Sequence, residues 1–203
     1  GFPDAMARID LGTFRTVPWD DNVPFFLGEF VVDRDGREAP HPVCPRLSDA
    51  LEAAAEEIAL PVRRGGTYLC MEGPQFSTKA ESALYRSWNC SVIGMTNLPE
   101  AKLAREAELC YASVGMVTDF DCWHPAHDAV TVDAVIQVLL ANAGAARTLV
   151  AGLAHTVTHD PEAAACACRT ALEHALITAP EARDPAMVQK LSGIAGRVLR
   201  PAA

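Results

Sequence analysis

From Gly66 to Trp123 short apolar runs alternate with polar clusters at a regular pace. Tyr68–Glu72, Ser91–Met95 and Tyr111–Thr118 have the length and propensity of strands. The stretches between them read as helices. Phe76–Trp88 carries Thr78 and Glu81 at capping-box spacing. Leu98–Cys110 has Asn97 as its expected N-cap and Glu100 three residues on. Apolar residues at Val132, Val135, Ile136, Leu139 and Leu140 predict a long helix over Val132–Leu153. Leu47–Leu60 reads as an amphipathic helix, and Phe25–Val32 as a strand before a turn at Asp33–Gly36. Ala-rich composition predicts two more helices, Glu162–Ala179 and Pro185–Leu199. The β-α-β-α-β-α order in the middle predicts an α/β fold, with a parallel or mixed sheet and helices on both faces. Each of the three central strands ends in a polar or aromatic cluster. Open α/β sheets bind ligands outside the carboxyl ends of their strands. A small-molecule site built from three consecutive strand ends is therefore expected.

Bulk composition narrows this picture. The chain has 203 residues, half of them apolar, enough for a packed core. A formal charge of −9 argues against nonspecific binding to nucleic acid or an anionic membrane. The apolar stretches between Val130 and Leu153 are interrupted by Asp133, Gln137, Asn142 and Arg147, so no membrane span is expected. The seven cysteines form no Cys-x-x-Cys pair. They read as buried thiols in a reducing, cytoplasmic setting, with no signal peptide visible. Cys166 and Cys168 are two apart on a predicted helix and so face apart; neither metal nor disulfide is expected there. His124 and His127 are spaced as an His-x-x-His pair in a loop, which also predicts no metal.

The motifs point further. Gly65-Gly66-Thr67, the run from Glu72-Gly73-Pro74-Gln75-Phe76 to Glu81, Gly94-Met95-Thr96-Asn97-Leu98-Pro99-Glu100 and Thr118-Asp119-Phe120-Asp121-Cys122-Trp123 stand in order at fixed spacing. From about Pro42 to Leu199 the chain resembles the C-terminal part of the 5′-methylthioadenosine phosphorylases, within the trimeric purine nucleoside phosphorylase family. The resemblance implies a nucleoside phosphorylase-like fold lacking its N-terminal half. The family's Gly-rich phosphate loop and phosphate-binding Arg-His pair have no counterpart in this sequence. Residues 1–46 resemble instead the N-terminal region of some glutamine synthetases, without that enzyme's metal-binding glutamates or ATP site. The expected organisation is thus a foreign strand and hairpin over 1–46 and a phosphorylase-like part over 47–203.

The resemblance also implies chemistry. Phosphorolysis of a nucleoside must turn the purine into a good leaving group, stabilise a positively charged ribosyl group, and hold phosphate beneath C1′. Asp119 and Asp121 are the implied catalytic and purine-binding carboxyls. A protonated carboxyl near purine N7 stabilises the departing base, and burial raises a carboxyl toward that role. The 6-oxopurine enzymes carry Asn at the position of Asp119, so Asp implies a 6-aminopurine. Phe76 is the implied stacking ring, Met95 the sugar contact, and Thr96 the phosphate ligand, at a helix start where free N–H groups favour an anion. Val132, Val135 and Ile136 are the implied apolar wall, although their spacing equally predicts core packing. Glu72 either orders the site or makes a structural hydrogen bond. No metal or cofactor is implied; phosphate is a co-substrate. The implied partners are a purine nucleoside, phosphate and other copies of the chain in a trimer. Two functions follow from this sequence: a pentosyltransferase acting on 5′-methylthioadenosine, or a noncatalytic purine-binding scaffold without a phosphate site.

Overall fold

A computed structural model describes residues 25–27, 30–33, 43–118, 120–123 and 132–199; for 25–33, 134, 135 and 141 it describes the backbone. Two three-stranded sheets form the centre. In the first, β1 (Phe25–Leu27) lies between β3 (Val62–Arg64) and β6 (Val114–Met116), parallel to β3 and antiparallel to β6. In the second, β4 (Thr67–Cys70) lies between β2 (Phe30–Asp33) and β5 (Cys90–Gly94), with all pairs parallel. Gly65 and Gly66 carry the chain from β3 to β4 with φ of 89° and 93°. Side-chain residues strain at such angles, so glycine is needed here.

Alternation along β4 sets the layers. Leu69 is fully buried on one face, against Tyr85 and Trp88 at the α2 (Lys79–Ser87) end and against Ile93 of β5. Tyr68 and Cys70 point to the other face and pack with Leu98 of α3 (Asn97–Glu106). The side-chain period of two in a strand requires this division. Beside the first sheet, Leu51, Ala54 and Ala55 of α1 (Pro45–Glu57) close on Leu149 of α4 (Val132–Thr158), with Val62 and Val114 beneath. The expected mixed α/β fold with helices on both faces is the one observed.

Several expectations need correction. The strand expected over Phe25–Val32 is two strands, and they pair with β3, β4 and β6, not with each other. Most of residues 1–46, with the turn expected after Asp33, lies outside the described residues. Asn97 is not the N-cap of α3; Thr96 is, without a side-chain cap bond. Asn97 is instead buried, donating to Ser113 Oγ at 3.0 Å and accepting from the Tyr111 hydroxyl. The capping box at α2 does form: Thr78 Oγ1 accepts from Glu81 N–H, and Glu81 Oε2 accepts from Thr78 N–H.

The helix expected over Glu162–Ala179 is absent. Short 3-10 turns occupy Pro161–Ala165 and Ala167–Thr170, with Cys166 extended between them at φ −65° and ψ 128°. Tertiary contacts override the helical propensity of the alanines: Glu108 Oε1 accepts from the Leu172 N–H, and Cys166 turns inward to Cys44 and Cys110. Helix α5 (Pro185–Leu199) forms as expected, with a kink at Ala195.

The polar residues in α4 do not break it. Ile136–Thr158 is continuous, and by length and composition it is apolar enough to cross a membrane, contrary to the expectation from Asn142 and Arg147. Its Leu149 and Leu153 nonetheless pack into the protein core.

Candidate nucleoside-binding groove

The ends of β4 and β5 and the segment after β6 converge. Met71 N–H donates to the Gly94 carbonyl at 2.8 Å, which holds the first two ends in register. Past it the chain turns through Gly73 at φ +68° and a cis bond to Pro74. A Cβ on Gly73 would stand 2.9 Å from Met95 Sδ. The Met95 thioether thus lies directly against the β4 turn, whose positive φ at Gly73 favours glycine.

Met71, Glu72, Gly73, Gln75, Phe76, Glu81, Leu84 and Tyr85 line an open groove of about 270 Å³. Phe76 stands at its rim with 83 % of its surface exposed. An aromatic ring held out this way is a ready stacking face for a planar ligand. The third strand end closes on the same loop. Cys122 Sγ approaches the Ser77 carbonyl at 3.4 Å, Ser77 Oγ donates toward Met71 Sδ at 3.8 Å, and Arg86 lies 3.9 Å over the Trp123 ring. Phe120 packs edge-on against Trp123. Asp121, half-buried, accepts from the Cys122 N–H at 2.9 Å, which fixes the turn that carries it.

Thr96 is exposed at the start of α3. A residue that the motif reading passed over governs this spot. A Cβ on Gly94 would come within 1.8 Å of the Tyr68 hydroxyl, so the phenol lies flat across the strand end. The phenol stands beside the backbone N–H groups of Thr96 and Met95, whose positive ends favour its ionised form. Burial raises the Tyr68 pKa above its usual value, helped by nearby Cys70 and Glu100 and partly offset by those two N–H groups. Tyr68 is therefore neutral at pH 7. Tyr111 is pushed up more strongly, first by burial and then by Glu100, whose Oε2 accepts from its hydroxyl at 3.2 Å. Glu100, expected to support the cap of α3, instead braces it from below.

Phe76 and Glu72 line the groove; Met95 is not among its lining residues but lies against Gly73, which is, and Asp121 is carried by the segment that docks on its loop. Asp119 lies outside the described residues, as do His124 and His127. Val132 and Ile136 stand 75 % and 44 % exposed at the start of α4 and are not among the groove's lining residues; the side chain of Val135 is not described. Strand alternation, with Tyr68 and Cys70 on one face, was the available signal for Tyr68.

A family model for the phosphorylase superfamily matches residues 3–155. The chain belongs to the phosphorylase superfamily. The match begins near the start of the chain and runs through all three strand ends. Among curated relatives, an S-methyl-5′-thioadenosine phosphorylase of Bradyrhizobium diazoefficiens is 62 % identical over 160 residues, covering 79 % of this chain and 55 % of that protein. One of Rhodospirillum rubrum is 58 % identical over 159 residues, covering 78 % and 54 %. The chain thus spans about half the length of the curated relatives it matches. Among solved structures, a methylthioadenosine phosphorylase from an antarctic soil metagenomic library superimposes with a TM-score of 0.74 at 36 % identity, covering 85 % of this chain and 65 % of that one. A Schistosoma mansoni methylthioadenosine phosphorylase in complex with adenine gives 0.67 at 25 % identity, covering 76 % and 67 %. This superfamily chain therefore carries the fold of nucleoside phosphorylases.

Proposed function

We propose that the groove binds the purine and sugar of a 6-aminopurine nucleoside, and that its chemistry is phosphorolysis of 5′-methylthioadenosine to adenine and 5-methylthioribose 1-phosphate. The convergence of Phe76, Met95 and the Asp121 turn at three strand ends carries this reading. Phe76 stacks on the base. Met95, wedged against Gly73, packs on the sugar without competing for its hydroxyls. Asp119 and Asp121 accept from the exocyclic amine and protonate N7 as the bond to C1′ breaks. Thr96 and the α3 N-terminus receive phosphate. Val132, Val135 and Ile136 would wall the alkylthio group once α4 is covered. No cofactor enters; phosphate is the co-substrate. The reaction is that of a pentosyltransferase in methionine and purine salvage. The free thiols support a cytoplasmic setting.

Exposed Ile136, Leu139, Leu140 and Val150 on α4 support association into a homo-oligomer, a trimer by family resemblance. Since Leu149 and Leu153 on the same helix are packed in the core, α4 reads as a packing helix and not as a membrane span.

One observation favours a second reading. The Tyr68 phenol crowds Gly94 beside the N–H groups of Met95 and Thr96, where phosphate would have to approach. A chain that binds purine without turning it over would result. The deciding experiment follows adenine release from 5′-methylthioadenosine with and without phosphate. Phosphate-dependent release that saturates only at high phosphate is expected. Adenine binding with no release at any phosphate concentration would establish the noncatalytic reading.

A further inference from the structure

We propose that Cys44, Cys110, Cys166 and Cys168 form a tetrathiolate site for one zinc-class divalent ion, which pins three distant segments together away from the groove. The four Sγ atoms all lie within 4.8 Å of one another. Cys166 Sγ is 3.6 Å from Cys44 Sγ and 3.5 Å from Cys110 Sγ. Zinc–thiolate bonds of about 2.3 Å in a tetrahedron place sulfurs about 3.8 Å apart, so two pairs already stand near the required separation. Four sulfur ligands in a tetrahedral cluster select zinc over the oxygen-seeking cations.

The backbone has the features such a site needs. Cys44 is the N-cap residue of α1 and is buried, which holds its position at the start of the helix. The extended break at Cys166, between two 3-10 turns, lets the Cys166 and Cys168 sulfurs both reach the cluster. Cys110 lies between α3 and β6, and Cys44 N–H donates to the Tyr111 carbonyl at 2.7 Å, which fixes those two cysteines relative to each other. Charge is also provided for. Four thiols binding one divalent ion release four protons and leave a net charge of −2. Arg46 Nη2 sits 3.4 Å from Cys110 Sγ, and its buried Nε has no hydrogen-bond partner. Asp160, just before Cys166, pairs with the same guanidinium and orients it. All seven cysteines are free thiols, so no disulfide among the described residues consumes these ligands.

The test measures metal in the full chain purified without chelator, followed by replacement with Co²⁺. One zinc per chain, and the intense thiolate charge-transfer and tetrahedral d–d bands of cobalt, are expected. Cys110→Ser and Cys168→Ser should each reduce bound metal to a small fraction of one equivalent, whereas Cys90→Ser should leave it unchanged. Because a serine variant can fail by misfolding, the unmodified chain supplies a second readout: metal should protect four thiols from alkylation, identified by mass spectrometry as these four. Metal-free protein that takes up no Co²⁺ would overturn the proposal. So would a disulfide joining any two of the four in freshly purified protein, or uptake of cobalt with octahedral, sulfur-free spectra.

Discussion

The groove and the cysteine corner are built in opposite ways. The groove comes from one stretch, Met71 to Trp123, in which each strand end delivers its own polar cluster. Its rim is exposed, and local bonds such as Met71 N–H to the Gly94 carbonyl hold it. The corner takes Cys44 and Cys166 from positions 122 residues apart, and an Arg46–Asp160 ion pair spans the same gap. A site made of consecutive elements can be written as motifs, because the order of residues is also their order in space. A site made by tertiary closure leaves only scattered single cysteines in the sequence.

The largest expected effect lies beneath the groove. Leu69, fully buried in β4, should cost about 2–5 kcal/mol as Leu69→Ala. Phe76→Ala at the exposed rim should change stability by less than about 0.5 kcal/mol. Denaturant unfolding of both variants measures the gap. Equal losses would mean that Phe76 is core and not a stacking face.

Asp119→Asn should shift selectivity from 6-aminopurine toward 6-oxopurine nucleosides by about 1–3 kcal/mol, because it reverses a donor–acceptor pattern and removes an acid near N7. The ratio of the two turnover rates reads this directly. An unchanged ratio removes Asp119 from base recognition.

Tyr68→Phe should tighten phosphate binding by about 1 kcal/mol, roughly five-fold, by removing a hydroxyl that stands beside the Met95 and Thr96 N–H groups. Phosphate titration by calorimetry reads the change. Weaker binding in the variant would make the phenol part of the anion site and not its occupant.

The smallest effect belongs to the ion pairs that hold the C-terminal helix. Arg197, with Nη2 2.6 Å from Glu108 Oε1, holds the Glu108 carboxyl below its usual value of 4.5. The folded state therefore gains stability above that pH, and the gain is lost as pH falls through the lowered folded value. Arg197→Ala should lower the plateau above pH 4.5 slightly, since surface pairs contribute little, and leave the stability at the acid end unchanged, so that the acid limb becomes shallower. Thermal melts across that range provide the measurement.

The sequence was legible wherever pattern and neighbours agree. The capping box at Thr78 and Glu81 and the bounds of α5 follow from local rules. Asn97 misled because it has the chemistry of a cap but is drawn inward by Ser113 and Tyr111. The alanines after Pro161 promised a helix, and contacts with Glu108 and the cysteines prevented it. Strand β3 was missed because Val62–Arg64 is too short and too basic to look like a strand. The motifs name Phe76, Met95 and Thr96 but pass over Tyr68, whose place across Gly94 depends on the absence of a side chain there.

The central claim is that the strand-end groove is a purine site. Calorimetric titration of adenine into the chain, in the absence of phosphate, tests it most directly. Saturable binding at one site is expected, strongly weakened by Phe76→Ala and by Asp121→Asn while circular dichroism shows both variants folded. No binding by the parent chain, or binding that Phe76→Ala leaves intact, would contradict it.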